Sequence, residues 1–350
     1  MNQAPDCAFH AAPSSQVYCD RALRLYRKRI GRCRTPNQVN RVHIAIENYM
    51  TPAEVRYFRA ALERDPGQSP SRVWITWLGA SMPNNLVRPI EFERRGLSKG
   101  ATRYTSDASP TREKTLLIGF TGVAHRMMLP TPWLLDCLNP ALYDVVLLRD
   151  FSRVAYGAGV RGLGGDLLTA LSNLRMHVDP RAYRASIAFG TSAGGLPAIL
   201  AAISLKLDKA IAIGPQPFDR VAALLRSNGV ADEAYASLLA SRPQPFPEVV
   251  LVCAADHADD VAAAASLQQS VPARVVKVRN CPGHVVLGWH HHQRTLPSFL
   301  AKLFGQSLEQ PPLAPATSSA AWIVASHTAP APHSPPGAAD DPNTHAGPNR

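Results

Sequence analysis

The chain has 350 residues, 46% of them apolar, which is enough to bury a large core in one big domain or two modest ones. Its formal net charge is +11, and the surplus of Lys and Arg lies mainly within residues 1–110. No run of residues reaches the roughly 20 apolar positions of a membrane span, and residues 1–15 lack the basic and apolar regions of a secretory signal.

The first distinctive element is the basic segment Arg21–Arg34. Leu23, Tyr26 and Ile30 recur within it at helical spacing, which predicts a helix with one apolar face and basic side chains around the rest. Contact with an anionic surface is one interpretation, and an ordinary solvated helix is the other. Because no nucleic-acid-binding motif accompanies the segment, we expect no specific nucleic-acid partner.

The remainder of residues 1–110 mixes helix and strand signals. Thr51-Pro52-Ala53-Glu54 forms a capping box that predicts a helix running to about Arg64. Arg72–Leu78 has the apolar, tryptophan-containing composition of a strand, and short strands near Ile90–Arg94 and Thr102–Thr105 are expected to pair with it. We therefore predict a basic α+β amino-terminal region over residues 1–110.

Residues 111–308 alternate short apolar runs with helical patterns. This alternation predicts a mostly parallel, doubly wound α/β sheet, in which functional groups gather at the carboxyl ends of the strands. The predicted strands are Thr115–Phe120, Asp144–Leu148, Ala185–Phe189, Ala210–Ile213, Glu248–Ala254 and Arg274–Val278. The predicted helices are Leu163–Met176, Ala193–Leu205, Asp219–Ser227, Asp259–Gln269 and Val286–Phe304.

The last segment, residues 309–350, is rich in Pro and Ala. Such a composition buries too little apolar surface to offset the entropy of ordering, so a disordered tail is expected.

The most informative motif is Gly190-Thr191-Ser192-Ala193-Gly194, which directly follows a predicted strand and precedes a predicted helix. A serine on a sharp strand-to-helix turn needs small neighbours two positions away on either side, as found here. The pattern predicts that Ser192 is a catalytic nucleophile and that the Ala193 amide contributes to an oxyanion hole.

A nucleophilic serine needs an imidazole base oriented by a carboxylate. In enzymes that carry the serine on such a strand-to-helix turn, the order along the chain is serine, acid, histidine. Gly283-His284 follows the last predicted strand, which favours His284 as the base. Asp256 comes directly after the preceding strand and is our preferred acid. The alternatives remain open and are Asp260 and Asp259, which could instead cap the next helix, and Asp219, one strand earlier.

The second oxyanion donor is expected in the loop Phe120-Thr121-Gly122-Val123-Ala124, after the first core strand. Either the Gly122 or the Val123 amide could supply it, because the glycine lets the backbone turn close to the serine. Arg126 follows the loop and could meet an anionic substrate group or form a structural salt bridge.

Two other motifs have simpler explanations. Gly157–Gly162 has the letters of a dinucleotide-binding fingerprint, but it begins well after its strand, so we interpret it as a glycine-rich loop leading into the Leu163 helix. Residues 290–292 are three consecutive histidines, which point in different directions on a helix and are joined by no carboxylate or cysteine set. No metal site is expected there.

The glycine–serine elbow, the FTG loop, the Asp256 region and Gly283-His284 occur in an order that resembles the α/β-hydrolase superfamily over about residues 114–306. The resemblance implies a serine hydrolase that cleaves a carboxylic ester, of a small molecule or saccharide, through an acyl-enzyme. Acyl transfer to a hydroxyl by the same triad, and an inactive binding or scaffold protein, are the alternatives. The FTG, LLRD and GTSAGG stretches also look like bacterial hydrolases associated with acylated surface polysaccharides.

Six cysteines are scattered along the chain without the paired spacing of a zinc site. So few cysteines in a chain of this length favour a reducing compartment. We therefore expect a cytoplasmic protein that needs neither a metal nor another cofactor.

Overall fold

The computed structural model describes residues 15–64, 69–85 and 87–305. Within these residues eight strands form one sheet in the order β1-β2-β4-β3-β5-β6-β7-β8. The strands are β1 (Glu93–Gly96), β2 (Ala101–Thr105), β3 (Thr115–Phe120), β4 (Tyr143–Leu148), β5 (Ala185–Thr191), β6 (Lys209–Ile213), β7 (Glu248–Ala254) and β8 (Arg274–Val278). The predicted tail, residues 309–350, lies outside the described residues.

Helices cover both faces of this sheet. They are α1 (Ser15–Ile30), α2 (Pro36–Glu47), α3 (Pro52–Glu63), α4 (Ser69–Ala80), α5 (Thr131–Asp136), α6 (Leu167–His177), α7 (Gly195–Leu205), α8 (Phe218–Ser227), α9 (Glu233–Ala240), α10 (Ala258–Ser270), α11 (Val286–His292) and α12 (Leu296–Phe304). None of the helices in the described part of the chain is long and apolar enough to cross a membrane.

The strands from β3 to β8 are mutually parallel, which confirms the predicted doubly wound α/β architecture. All six residues of β3 are buried, and so are all six of β4, because helices cover both faces. Successive residues point to opposite faces, so Leu117 belongs to the core beneath α3, α4 and α12, whereas Leu116 and Ile118 belong to the core beneath α6 and α7.

A hairpin formed by β1 and β2 extends the parallel sheet. β1 pairs with β2 in antiparallel fashion, and β2 pairs in turn with β4. The strand expected near Ile90–Arg94 therefore lies slightly later in the chain, and neither hairpin strand pairs with residues 72–78. Residues on both sides of the expected boundary at 110 and 111 share one sheet.

The prediction of a strand at Arg72–Leu78 is wrong, because this segment lies within helix α4. The buried positions of α4 include Ser71, Trp74, Ile75 and Leu78, and this spacing places them on one face of the helix. Val73 is 69% exposed. The apolar, tryptophan-rich composition resembled a strand, but packing against α3 selects the helix.

Other helix predictions hold with shifts at the ends. The capping box of Thr51 and Glu54 is formed, and α3 starts directly after Thr51. The helix expected from Leu163 starts at Leu167, after a cap by Asp166. The helix expected over Val286–Phe304 is divided into α11 and α12, because Arg294 takes a φ of 56° and a proline near the start of α12 begins a new helix. Helices α2, α5 and α9 had not been predicted.

The basic segment forms the carboxyl-terminal part of α1 and the turn after it. Leu23 and Tyr26 are buried and Ile30 is half-buried, which confirms the apolar face, while Arg24, Lys28 and Arg29 are exposed.

Candidate active site

A sharp turn carries Ser192 at the carboxyl end of β5. The chain passes from the strand through a 3-10 turn, Ser192–Gly194, directly into α7. Ser192 has a φ of 52°, in the left-handed region that residues with a side chain rarely adopt. Strain of this kind is characteristic of a nucleophile elbow, because the turn lifts the hydroxyl clear of the sheet.

The two glycines that flank the elbow are required by close packing. A Cβ atom on Gly190 would overlap the backbone carbonyl of Gly194, and one on Gly194 would overlap the carbonyl of Phe120. The backbones of β3, β5 and α7 therefore approach more closely than any other residue would allow.

The carboxylate that contacts His284 is that of Asp260. The Nδ1 atom of His284 lies 2.7 Å from Asp260 Oδ1. Asp260 is only 4% exposed, and it shares the buried face of α10 with Ala263, Ala264 and Leu267. The first turn of α10 thus points this carboxylate inward, toward the loop after β8 that holds His284.

Asp256, the acid preferred from the sequence, does not make this contact with His284. Asp256 lies in the exposed turn before α10, and Asp259 is exposed on the outer side of the same helix. Asp219 is exposed in the first turn of α8. None of these three carboxylates contacts His284 among the hydrogen bonds of the described residues.

The surroundings of Asp260 favour its ionised form. Burial works to raise its pKa, but the hydrogen bond from His284 and the nearby rings of His284 and His257 outweigh burial, so the pKa lies below its usual value. His257 Nδ1 lies 3.1 Å from the same Oδ1 atom that contacts His284. An ionised carboxylate at this position favours the His284 tautomer with its proton on Nδ1, leaving Nε2 to accept a proton.

Gly214, directly after β6, lies against the His284 ring. A Cβ atom there would lie 2.7 Å from His284 Cε1 and 2.9 Å from Nδ1, and the residue has a φ of 53°. The imidazole therefore packs directly on the glycine backbone, which fixes the position of the ring relative to the end of the sheet.

We expect Gly214→Ala to push the His284 ring away from Asp260 and to lower kcat about 100-fold, since a misplacement of about 1 Å is enough for such a loss. Gly229→Ala is the matched control, because Gly229 also has a positive φ (70°) but no atom within 4 Å of a new Cβ. Ester-hydrolysis rates of the two variants test this directly. An equal loss of kcat in both variants would show that backbone strain, rather than the contact with His284, causes the loss.

The 121–128 loop, which joins β3 to α5, lies against the elbow. A Cβ atom on Gly122 would be 3.3 Å from the Thr191 carbonyl oxygen and 3.4 Å from Ser192 Cβ. Within the described residues, the Gly122 amide donates to the Arg126 carbonyl (3.2 Å), whereas the Val123 amide donates to no backbone carbonyl. The Val123 amide, next to Gly122, and the Ala193 amide, which directly follows Ser192, are therefore the candidate N–H donors.

Ser192 and His284 are not in direct hydrogen-bond contact. Among the described residues, Ser192 Oγ has no hydrogen-bond partner, while His284 is held through Nδ1. Both side chains lie at the carboxyl end of the sheet, and Gly214 of the intervening β6 contacts the His284 ring. Catalytic hydrogen bonds are often long without substrate and tighten when it binds.

The other residues singled out in the sequence make contacts that stabilise the fold. Arg126 forms a salt bridge with the buried Glu47 at 2.9 Å. His290 stacks on Phe299, and His291 stacks on Trp133. The Gly157–Gly162 segment is part of a long turn before α6 and does not start a helix.

The fold and the site together define a class of protein. The sheet is mostly parallel, the serine stands on a strained turn after β5, the loop after β3 lies against that turn, and an Asp–His pair follows later in the chain. These are the features of the α/β-hydrolase fold, which confirms the resemblance seen in the sequence.

Several solved structures are similar to this chain. An α/β-hydrolase enzyme from the sediment metagenome of the Mar Chica lagoon, Morocco, is 16% identical over 61% of this chain and 98% of its own, with a TM-score of 0.42. A putative esterase from Staphylococcus aureus is 14% identical over 69% of this chain and 94% of its own, with a TM-score of 0.43. The capsule O-acetyltransferase of Neisseria meningitidis serogroup A is 12% identical over 61% of this chain and 96% of its own, with a TM-score of 0.39. No protein-family model and no curated protein matches the chain.

Proposed function

We propose that the protein is a serine hydrolase that cleaves a carboxylic ester through an acyl-enzyme intermediate. The observation that carries this proposal is the strained Ser192 elbow at the same sheet edge as the 2.7 Å contact between His284 and Asp260. A serine presented on such a turn, with an oriented imidazole nearby, has the requirements of nucleophilic catalysis.

In the acylation step, Ser192 Oγ attacks the ester carbonyl carbon while its proton passes to His284 Nε2. The carbonyl oxygen becomes an oxyanion, which the Ala193 and Val123 amides stabilise. Collapse of the intermediate breaks the bond to the alcohol, which leaves with the proton held by His284. Asp260 remains ionised and stabilises the imidazolium.

Deacylation repeats these steps with another nucleophile. A water molecule gives a proton to His284 Nε2 and attacks the acyl carbon, and the acid leaves as Ser192 recovers its proton. If a hydroxyl compound takes the place of water, the product is a new ester, so hydrolysis and acyl transfer use the same residues.

The test uses a fluorophosphonate probe and p-nitrophenyl esters of increasing acyl length. We expect stoichiometric labelling of the protein, with the adduct on the tryptic peptide of residues 185–206, which contains Ser192. Product analysis with and without an added saccharide separates release of free acid from transfer to a hydroxyl. A protein that neither reacts with the probe nor turns over any ester would instead be a binding or scaffold protein.

A further inference from the structure

The amino-terminal helices contact the site through the residues where α2 ends. Asn48 is the cap residue of α2, and Glu47 is its last helical residue. Both side chains are buried, with exposures of 4% and 3%. Both of them reach the 121–128 loop, although more than 70 residues separate them from it in the sequence.

Asn48 holds the loop at its tip. Its Nδ2 atom donates to the carbonyl oxygen of Ala124, 3.1 Å away. Ala124 directly follows Val123, so this bond holds the loop two peptide units from the Val123 amide and close to Gly122, which lies against the elbow. A single side-chain bond of this kind constrains the direction of the loop backbone.

Glu47 holds the loop two residues further on. Its Oε1 atom lies 2.9 Å from Arg126 Nη1, and its Oε2 atom accepts from Trp74 Nε1 of helix α4 at 3.3 Å. Burial raises the pKa of Glu47, and the contacts with Arg126 and Trp74 oppose that shift. The Arg126 carbonyl in turn accepts a hydrogen bond from the Gly122 amide. Arg126 therefore takes part both in the ion pair with Glu47 and in the turn of the loop.

The end of α2 is itself firmly held by the sheet and by α5. The Asn48 carbonyl accepts hydrogen bonds from Thr131 Oγ1 and from the fully buried Arg149, which follows β4. The Arg149 guanidinium lies over the Tyr49 ring, 3.9 Å from its centroid. Asn48 and Glu47 therefore project from a rigid support.

We propose that Asn48 and Glu47 are positioning residues for the oxyanion hole. They hold the 121–128 loop so that the Val123 amide stays beside Ser192, and they make the amino-terminal helices part of the catalytic apparatus. The proposal rests on the proposed serine-hydrolase function, and it gives residues 1–110 a role other than partner binding.

The experiment compares Asn48→Asp and Glu47→Gln with two matched controls. Asn48→Asp keeps the shape of the side chain but replaces the donor with an acceptor that repels the Ala124 carbonyl. Asn228→Asp is its control, because Asn228 makes the same kind of bond, to the Leu224 carbonyl on α8. Glu91→Gln is the control for Glu47→Gln, because Glu91 pairs with Arg56 and does not contact the 121–128 loop.

For each protein, kcat, KM and the inhibition constant of a trifluoromethyl ketone are measured, together with the melting temperature. We expect each of the two loop-contact variants to lower kcat about 10- to 100-fold, less than the loss of an entire oxyanion donor. The inhibition constant should rise by a similar factor, because this inhibitor forms an oxyanion at the serine, while KM changes less than twofold. In the two control variants, kcat, KM and the inhibition constant should equal those of the wild type.

Unchanged kcat in both loop-contact variants, in a wild-type background that hydrolyses esters, would overturn the positioning role and leave the proposed function intact. Parallel rises in KM and losses of melting temperature, without selective loss of trifluoromethyl-ketone binding, would show a merely structural role. A wild-type protein without esterase activity would overturn both proposals. Glu47→Gln tests the same loop if Asn48→Asp does not fold.

Discussion

Replacing Ser192 with alanine should lower kcat for ester hydrolysis by about 10⁶-fold, because nucleophile and base act as a unit and loss of the nucleophile removes the acyl-enzyme route entirely. Folding should be unaffected, since Ala193 and Gly194 keep the turn and an alanine bears the same backbone strain that Ser192 bears at a φ of 52°. The variant should also lose all reaction with the fluorophosphonate probe.

The measurement pairs steady-state rates with mass spectrometry of the labelled protein. Ser237→Ala, on the exposed face of α9, is the control and should retain wild-type rates and labelling. If Ser192→Ala kept more than a few per cent of the wild-type kcat, another residue would be the nucleophile and the elbow would have a different role.

Replacing Asp260 with asparagine should lower kcat by about 10⁴-fold. The asparagine amide would compete for the hydrogen bond at His284 Nδ1 and stabilise the wrong tautomer, so that Nε2 could no longer accept the serine proton. The buried position of Asp260, with an exposure of 4%, prevents water from replacing the lost carboxylate. No comparable loss is expected for Asp256→Asn, since Asp256 is exposed and makes no contact with the ring.

These two aspartates form a natural comparison, because they lie four residues apart, Asp256 in the turn before α10 and Asp260 in its first turn. The pH dependence of kcat/KM for both variants, with circular dichroism to confirm folding, is the decisive measurement. A large loss in Asp256→Asn together with a normal rate in Asp260→Asn would restore the assignment made from sequence.

The central sheet could be predicted because its strands are continuous apolar runs. Thr115–Phe120 is buried on both faces, and a run of this kind between turn signals indicates a parallel strand without any knowledge of its neighbours. The segment Arg72–Leu78 has a similar composition but is a helix. Its identity depends on packing against α3, which is a long-range contact that composition does not encode.

The site was only partly predictable for related reasons. The small residues around Ser192 and the glycine before His284 are local signals, so the positions of both residues at the sheet edge follow from the sequence. The choice of Asp260 depends on which face of α10 is buried, and that is decided by the sheet. Asn48 and Glu47 had no local signal at all, because their contacts join segments that lie more than 70 residues apart in the sequence.

The hairpin of β1 and β2 has a consequence for any shortened form of the protein. It covers β4, whose six residues are all buried, through the backbone pairing between Ala101 and Leu148 and the residues next to them. A chain beginning at residue 111 would present this apolar strand as a long open edge, with its amide and carbonyl groups free to pair with a second molecule. Such a fragment would be prone to aggregate, so the hairpin also protects the solubility of the sheet that it extends.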